Sequence, residues 1–299
     1  MQREPEEAAR DPTGPEELTP GQLAEFARMI DTMTEAVTED PQSCLSLLDM
    51  LADNPDYGVN NGLLVLSQNP SATFIHSREE WERLGRRVRK DAQGIQIRVQ
   101  GIIGLGVERR RGWVLGTVYD ASQTYGRKLV PRPALAPDSP EMERAFQALY
   151  KESPFRAFIH PDETRDAHYN EFRFRITLAP NQPPDKAFAA LAREIHHSMV
   201  ANTGAFRVYS RKDYELDAEC FSYMLCRNMG VPCERPDVSD IARQYSGVAL
   251  DDRRENLKEM RENLLIMRNR LLKELSPKEK AQSGQEKQNA GQRRNTAVR

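Results

Sequence analysis

Residues 191–200 decide the fold, and they read Leu-Ala-Arg-Glu-Ile-His-His-Ser-Met-Val. In the pattern H-E-x-x-H, two histidines one helical turn apart bind zinc, and the glutamate activates a water molecule on the metal. Glu194 and His197 occupy the second and fifth places of that pattern, whereas Arg193 occupies the first. A guanidinium group has no lone pair to offer a cation, so the stretch predicts a peptidase-like helix whose zinc chemistry has been lost. The alternative is an ordinary amphipathic helix whose Glu and His side chains face solvent.

An acidic segment, residues 214–221, follows this stretch and is compatible with a helix. In zinc metallopeptidases of the zincin class, a carboxylate on the next helix is often the third ligand, and Asp217 or Glu215 is the candidate here. Arg193 could instead pair with an acid of this segment and fill the former metal position with a charge-assisted bond. The spacing of the retained Glu and His also occurs in di-iron bundles, which leaves a metal other than zinc as an open alternative.

The chain has 299 residues and a formal charge of -2, with 38% hydrophobic and 29% charged residues. Such a length buries a sizeable core and favours two domains over one. No apolar run reaches the length of a membrane span, and residues 1–20 are acidic and proline-rich, unlike a signal peptide. The four cysteines form no C-x-x-C pair and are expected to be free thiols, which favours a cytoplasmic protein.

Helical spacing of apolar residues predicts much of the first half of the chain. Helices are expected to begin at Gly21, at about Pro41, at Tyr57 and at Ser77. The asparagines that follow Tyr57 suit a helix cap, and Ser77 with Glu80 forms a capping-box pattern for a helix expected to continue to Lys90. Alternating apolar residues predict strands at residues 95–99 and 113–119.

A basic segment spans the end of the last of these helices and the first strand. Between Arg83 and Arg111 there are nine Arg or Lys residues against two acids, and the segment is flanked by Trp81 and Trp113. Aromatic stacking within a positive groove is how proteins hold single-stranded nucleic acid without reading its sequence. The alternative is a solvated helix face followed by a charged hairpin tip at Arg109–Arg111.

A proline-rich stretch, residues 131–140, predicts a linker. The predicted fold class is therefore α+β with two domains. An α+β domain is expected at residues 21–130, and a mainly helical domain at residues 141–275 carries the peptidase-like helix. Residues 1–20 and 276–299 are polar and are expected to be disordered tails.

The second half is predicted to contain a helix at residues 141–152 and a half-buried strand at residues 172–178, whose apolar residues alternate. Asp185 is expected to cap the peptidase-like helix. A long helix is predicted at residues 251–275, with a heptad-like apolar seam. The seam is expected to pack on the domain, and pairing with a partner protein is the alternative.

Several blocks of the first half occur in an order and spacing that one known family shares. They are residues 57–65 (Tyr-Gly-Val-Asn-Asn-Gly-Leu-Leu-Val), 68–73 (Gln-Asn-Pro-Ser-Ala-Thr), Trp81 with 84–90, 94–97 (Gly-Ile-Gln-Ile) and 118–126 (Val-Tyr-Asp-Ala-Ser-Gln-Thr-Tyr-Gly). With these blocks, the first half resembles the N-terminal single-stranded-DNA-binding domain of ArdC-type antirestriction proteins, which occur on plasmids, phages and conjugative elements. Residues 141–275 resemble the metallopeptidase-like domain that follows in that family.

The resemblance implies a protein of a mobile element that binds single-stranded DNA. The DNA-binding residues are then expected to be Tyr57, Asn61 and Trp81 beside the strand, and Arg86, Arg87, Arg89 and Lys90 at its phosphates. The alternatives are that Tyr57 and Trp81 belong to the core and that Asn61 only caps a helix.

Two roles are open for the second half. The first is a non-catalytic, zincin-like domain that needs no cofactor and offers a surface to a protein partner. The second is a metal-dependent peptidase in which Glu194 is the general base, while His197 with Asp217 or Glu215 holds zinc. The expected function is a cytoplasmic single-stranded-DNA-binding protein with no membrane partner, and the peptidase is the alternative.

Overall fold

A computed structural model describes residues 17–104, 109–129, 134–202 and 209–276 of the chain. Most of the two predicted tails and the start of the predicted linker lie outside these residues. No helix within the described ranges is both long enough and apolar enough to cross a membrane.

The chain alternates long helices with short strands. The helices are α1 (Pro20–Glu39), α2 (Pro41–Asp53), α3 (Val59–Gln68), α4 (Arg78–Arg83), α5 (Pro140–Glu152), α6 (Pro184–Ala201), α7 (Glu215–Met229), α8 (Ile241–Gln244) and α9 (Leu250–Leu275). The strands are β1 (Ile75–His76), β2 (Arg86–Val88), β3 (Ile95–Ile103), β4 (Arg110–Asp120), β5 (Thr124–Gly126), β6 (Arg156–Ile159), β7 (Ala167–Asn170) and β8 (Arg175–Leu178). Helices beside small, mostly antiparallel sheets confirm the predicted α+β class.

The first two helices begin where the sequence predicts because their start signals are satisfied. Thr19 accepts a hydrogen bond from the backbone N–H of Gln22 at 3.2 Å, and its own N–H donates to the Gln22 side chain at 2.9 Å. Pro20 fills the first helical position, where its missing N–H costs nothing. Asp40 accepts from the backbone N–H of Ser43 at 2.7 Å and starts α2 in the same way.

α4 is shorter than the sequence predicts. Its start is the predicted capping box, in which Ser77 and Glu80 bond each other's backbone N–H groups at 3.2 and 2.8 Å. The helix ends at Arg83, and Gly85 then adopts a left-handed φ of 75°, which glycine accepts without steric cost. The prediction of a helix that continues to Lys90 is therefore wrong, and the chain enters β2 instead.

The first sheet has the order β1-β4-β3, and β4 pairs with β3 along the whole length of β3. Successive side chains of a strand point to opposite faces. One face carries Ile97 and Val118 into the core, and the other carries Arg98 and Trp113 outward. The predicted strands at residues 95–99 and 113–119 are confirmed and extend further than predicted.

Two side-chain amides of α3 cover the outer edge of β3. Asn61 donates to the backbone carbonyl of Arg98 at 2.9 Å and accepts from its N–H at 3.3 Å. Gln68 forms the same pair of bonds with Gln96, both at 2.8 Å. Covering a strand edge removes a template for unwanted pairing with other chains. Asn61 is therefore not a cap, because the residue that precedes α3 is Gly58, which forms no side-chain cap bond.

The second sheet has the order β6-β8-β7, with β6 parallel and β7 antiparallel to β8. The predicted strand at residues 172–178 is wrong in its first part, because Phe172 and Phe174 lie in the turn before β8. The turn forms because the side chain of Asn170 accepts from the backbone N–H groups two and three residues later, at 3.1 and 2.9 Å. The alternation of apolar residues therefore continues past the point where the strand geometry ends.

The motif helix α6 packs against α5 and α7. Asp185 does not cap it as predicted, because the preceding Pro183 is the cap residue and no side-chain cap bond forms. The Asp185 side chain is buried in the first turn instead.

α9 packs on both halves of the chain, and its predicted packing on the domain is confirmed. Its buried seam consists of Leu257, Met260, Leu264, Met267 and Leu271. Arg254 of α9 pairs with Asp31 of α1, and Arg227 of α7 pairs with Asp53 of α2 at 2.7 Å. One cluster of buried side chains runs through both halves, so the division into two domains stays a prediction.

Candidate functional site

Glu194 lies in the middle of α6 and is completely buried. Its carboxylate accepts a hydrogen bond from the backbone N–H of Tyr169 at 2.7 Å. Arg211 donates to both of its oxygens, at 2.8 and 2.6 Å, in a bidentate, charge-assisted pair. Burial alone raises the pKa of Glu194, but the hydrogen bonds and charge of Arg211 outweigh it and hold this pKa below its ordinary value. Glu194 is thus an ion-paired carboxylate with both oxygens bonded to protein groups.

Arg193, which replaces the first histidine of the motif, also faces this centre. Its Nε lies 3.3 Å from a Glu194 oxygen and 3.9 Å from a Glu215 oxygen, so the predicted pairing with an acid of α7 is present. Arg211 is closer to both acids, because its Nε lies 3.2 Å from Glu215. The sequence analysis did not identify Arg211. The available signal was its position four residues before Glu215, a spacing that brings a cation and an acid together on a helical turn.

His197 is completely buried beside the same acids. Its Nδ1 lies 3.1 Å from the hydroxyl of Tyr209, and its Nε2 lies 3.4 Å from a Glu215 carboxylate oxygen without forming a hydrogen bond. The structure therefore brings Glu194, His197 and Glu215 together, as the motif and the next helix predict.

Asp217 lies elsewhere, so its prediction as a ligand beside His197 is not supported. Side chains two positions apart on a helix point about 200° apart, and Glu215 is the residue that faces the centre. Asp217 instead lies near His196 and near Asn256 and Glu259 of α9. Within the described ranges, no group of three or more His, Cys, Asp or Glu side chains is arranged to hold a metal ion. The donor set does not fit a catalytic zinc, because Arg193 takes a ligand position and a second guanidinium bonds the glutamate.

Asp217→Asn should stabilise the chain more at about pH 8 than at about pH 5. Burial raises the pKa of Asp217 to about 7, and the nearby Glu259 adds to the shift. The folded chain then keeps a proton that the unfolded chain loses, so stability falls as the pH rises between roughly 4 and 7. Asparagine stays neutral, so the advantage of the variant grows by about 1.4 kcal/mol for each pH unit in that window. Denaturant unfolding at several pH values measures the difference.

His196 changes the stability with pH in the opposite direction, so the variant has to be compared with the wild type at each pH. Burial lowers the pKa of His196 to about 3, so its contribution to stability is lost as the pH falls from its ordinary value of 6.5. Both proteins contain His196, and its effect cancels when variant and wild type are compared at one pH. An equal stability difference at every pH would contradict a buried, protonated Asp217.

A second candidate site is a groove between the two halves of the chain. It is a cavity of about 470 Å³ bounded by the start of α3, by β3 and β4, and by α9. Tyr57 and Asn61, both predicted as DNA-binding residues, line it. Burial raises the pKa of the Tyr57 phenol, which therefore keeps its proton and can donate a hydrogen bond.

The groove contains cations that lack an acidic partner. The guanidinium of Arg98 lies 5.0 Å from the ring centre of Trp113, whose side chain is 38% exposed. Arg261 of α9 donates to the backbone carbonyl of Pro55 at 2.6 Å, while its Nε makes no hydrogen bond. Among the described residues, neither arginine has a carboxylate within ion-pair distance, although Asp56 and Glu262 line the same groove. This groove is named below the Arg98–Trp113 groove.

Two of the predicted DNA-binding residues use their hydrogen-bond donors within the protein. Trp81 is 0% exposed and donates through its indole N–H to the backbone carbonyl of Tyr119 at 2.9 Å, so the core alternative is the one observed. Arg86 uses its donors on Thr124 and on the carbonyl of Arg127, at 2.6 to 3.1 Å. The other predicted cations, Arg87, Arg89 and Lys90, are exposed on or beside β2. Trp113 is the accessible indole that strand alternation could have identified.

The fold and these sites together define an α+β protein that carries a modified H-E-x-x-H helix. Crystal structures of the antirestriction protein ArdC from plasmid R388 are similar to it. The Mn(II)-bound ArdC structure matches with a TM-score of 0.51 and 19% identity, over 82% of this chain and 97% of ArdC. The metal-free ArdC structure matches with a TM-score of 0.46 and 20% identity, over 72% and 85%. No family model and no curated protein sequence matches the chain. The resemblance to ArdC is thus confirmed in the fold.

Proposed function

We propose that the chain is a single-stranded-DNA-binding protein of a mobile element with an antirestriction role. The observation that carries this proposal is the Arg98–Trp113 groove, in which an unpaired guanidinium lies over an exposed indole. Cations interleaved with aromatic rings hold single strands because every base has a π-face and every nucleotide a phosphate. The similarity of the fold to ArdC, an antirestriction protein, supports the same role.

Each part of the groove has a distinct task in this proposal. Trp113 and Tyr57 provide aromatic surface for bases, and Arg98 and Arg261 provide positive charge for phosphates. Asn61 fixes the backbone at Arg98 through its two hydrogen bonds and is thus a positioning residue. Because Arg261 belongs to α9, the second half of the chain takes part in binding.

The peptidase-like centre has a structural role in this proposal. A general base must reach a water molecule with a free oxygen lone pair. Glu194 instead accepts four hydrogen bonds, one from Tyr169, two from Arg211 and one from Arg193. The alternative, a metal-dependent peptidase, is favoured by the proximity of Glu194, His197 and Glu215 and by the Mn(II)-bound ArdC structure. Elemental analysis of the purified chain tests it, and stoichiometric zinc or manganese would support the enzyme.

The chain is expected to bind single-stranded DNA more tightly than duplex DNA of the same sequence, with a strong dependence on salt. Each phosphate contact to a single strand gives a slope of about −0.7 in log K against log salt. Four contacts would weaken binding roughly fifty-fold between about 50 and 200 mM salt. Fluorescence anisotropy with both DNA forms measures these quantities. Equal affinity for duplex DNA, or affinity that is insensitive to salt, would refute the proposal.

A further inference from the structure

A second aromatic and basic surface lies on the β7–β8 hairpin of the peptidase-like half. Phe172 is 85% exposed and Phe174 is 57% exposed, which makes Phe172 the most exposed large hydrophobic side chain among the described residues. Single exposed apolar residues are ordinary, but two exposed phenylalanines in one turn mark an interaction site. The Arg98–Trp113 groove does not include these residues.

The hairpin holds these rings in place by its backbone. The side chain of Asn170 bonds two N–H groups of the turn, and Asn170 pairs with Arg175 across the hairpin. Phe174 has a φ of 48°, in the left-handed region that favours glycine and asparagine. A phenylalanine here bears a conformational cost and gains little burial in return. Such strain at an exposed position points to a role in binding.

Three arginines belong to the hairpin or to the neighbouring strand β6. Arg156 and Arg175 lie over the ring of Phe158, at 5.6 and 5.2 Å from its centre, and Arg173 lies between the two phenylalanines in sequence. In the part of the chain that the structure describes, none of the three has a carboxylate within ion-pair distance, whereas the nearby Arg165 pairs with Glu163. The turn itself contributes one acid, Glu171. The surface therefore favours an anionic partner.

The peptidase-like centre supports the hairpin. β7 contains Tyr169, whose backbone N–H donates to Glu194 at 2.7 Å, and Glu194 is fixed by the bidentate bonds from Arg211. The internal ion pair thus anchors the strand that leads directly into the Asn170 turn. This gives the retained glutamate a task other than catalysis.

We propose that this surface, formed by Phe158, Phe172, Phe174 and the arginines 156, 173 and 175 and named the Phe–Arg surface, binds single-stranded nucleic acid. Alternating aromatic and basic side chains match bases and phosphates along one strand, whereas an apolar protein partner would leave the three cations without acids. The ligand class rests on the proposed function, but the surface is separate from the Arg98–Trp113 groove. A long strand would therefore contact both halves of the chain.

Phe172→Ala with Phe174→Ala in the full chain tests the proposal. Oligothymidylate of about 10 nucleotides fits one site, and a strand of about 40 nucleotides can reach two. The double variant should bind the long strand at least roughly tenfold more weakly, because stacking of a base on one ring contributes about tenfold to the affinity. It should bind the short strand nearly as the wild type does. Ile266→Ala with Leu272→Ala, which shortens two exposed apolar side chains of α9, is the matched control.

The possible outcomes separate this proposal from the proposed function. If the wild type binds no single strand, the function itself fails. If the wild type binds, and groove variants weaken binding while the phenylalanine variant does not, only the Phe–Arg surface is refuted. Photocrosslinking of a bromodeoxyuridine strand should label the peptide that contains residues 172–175 in the wild type. Unchanged DNA binding together with lost binding to phosphatidylserine vesicles would assign the surface to a membrane and overturn the proposal.

Discussion

Arg98→Ala combined with Trp113→Ala should lower the affinity for single-stranded DNA by roughly two orders of magnitude. Stacking of a base on an aromatic side chain contributes about 1–3 kcal/mol, and the loss of one phosphate contact adds to this. Both side chains lie on the outer face of the β3–β4 pair, so the variant should still fold. Fluorescence anisotropy with a short oligothymidylate at one fixed salt concentration gives the change.

β2 and β5 form a separate two-stranded antiparallel sheet, named here the β2–β5 ribbon, and it offers a matched comparison. Arg87 lies opposite Tyr125 in the ribbon, and both side chains are exposed. Arg87→Ala with Tyr125→Ala therefore also removes one arginine and one aromatic ring, but outside the Arg98–Trp113 groove. We expect a smaller loss, from electrostatics alone. If the ribbon variant loses more affinity than the groove variant, the strand lies on the exposed cations of β2 and the groove assignment is wrong.

Apolar spacing and the Ser77 capping box predicted helix starts well, because both depend on residues that are close in the chain. The capping bonds of Thr19, Asp40 and Ser77 fix three helix starts with residues only three positions away. The end of α4 was missed although Gly85 was visible in the sequence, because arginines are compatible with a helix and gave no contrary signal. Composition alone also could not distinguish the buried Trp81 from the exposed Trp113. The strand alternation around Trp113 could have distinguished it, since Val114 and Val118 point inward and the odd positions outward.

The candidate site was predictable only in part. The one-turn spacing of Glu194 and His197 holds on any helix. A turn of about 100° per residue allows only one of Glu215 and Asp217 to face the centre, and the structure shows that it is Glu215. Arg211 was missed because it lies in a short helical turn between α6 and α7. Its spacing from Glu215 indicated a pair with that acid, but no local pattern placed it against Glu194. Arg261 was missed for a similar reason: its task depends on how α9 packs against α3.

Arg193→His combined with Arg211→Ala should create a zinc site with a Kd in the micromolar range or below, about −8 kcal/mol. The first change supplies the missing imidazole, and the second removes the guanidinium that bonds Glu194 and approaches Glu215. Two histidines and Glu215 would then provide three protein ligands and leave an open position, with Glu194 free to act on a bound water. Competition with a chromophoric chelator measures the affinity.

The single variants show whether Arg211 stands in for a metal ion. Arg193→His alone keeps a cation beside the new ligand and should bind zinc much more weakly than the double variant. Arg211→Ala alone leaves the buried Glu194 carboxylate without its main partner and should lower the free energy of unfolding by about 3–5 kcal/mol. In the double variant, zinc should restore much of that loss, because a ligand that binds only the folded chain raises its stability.

A double variant that folds, as judged by circular dichroism, yet binds no more zinc than the wild type would show that Glu194, His197 and Glu215 do not converge on one ion. Arg211 and Glu194 would then form an ordinary internal ion pair.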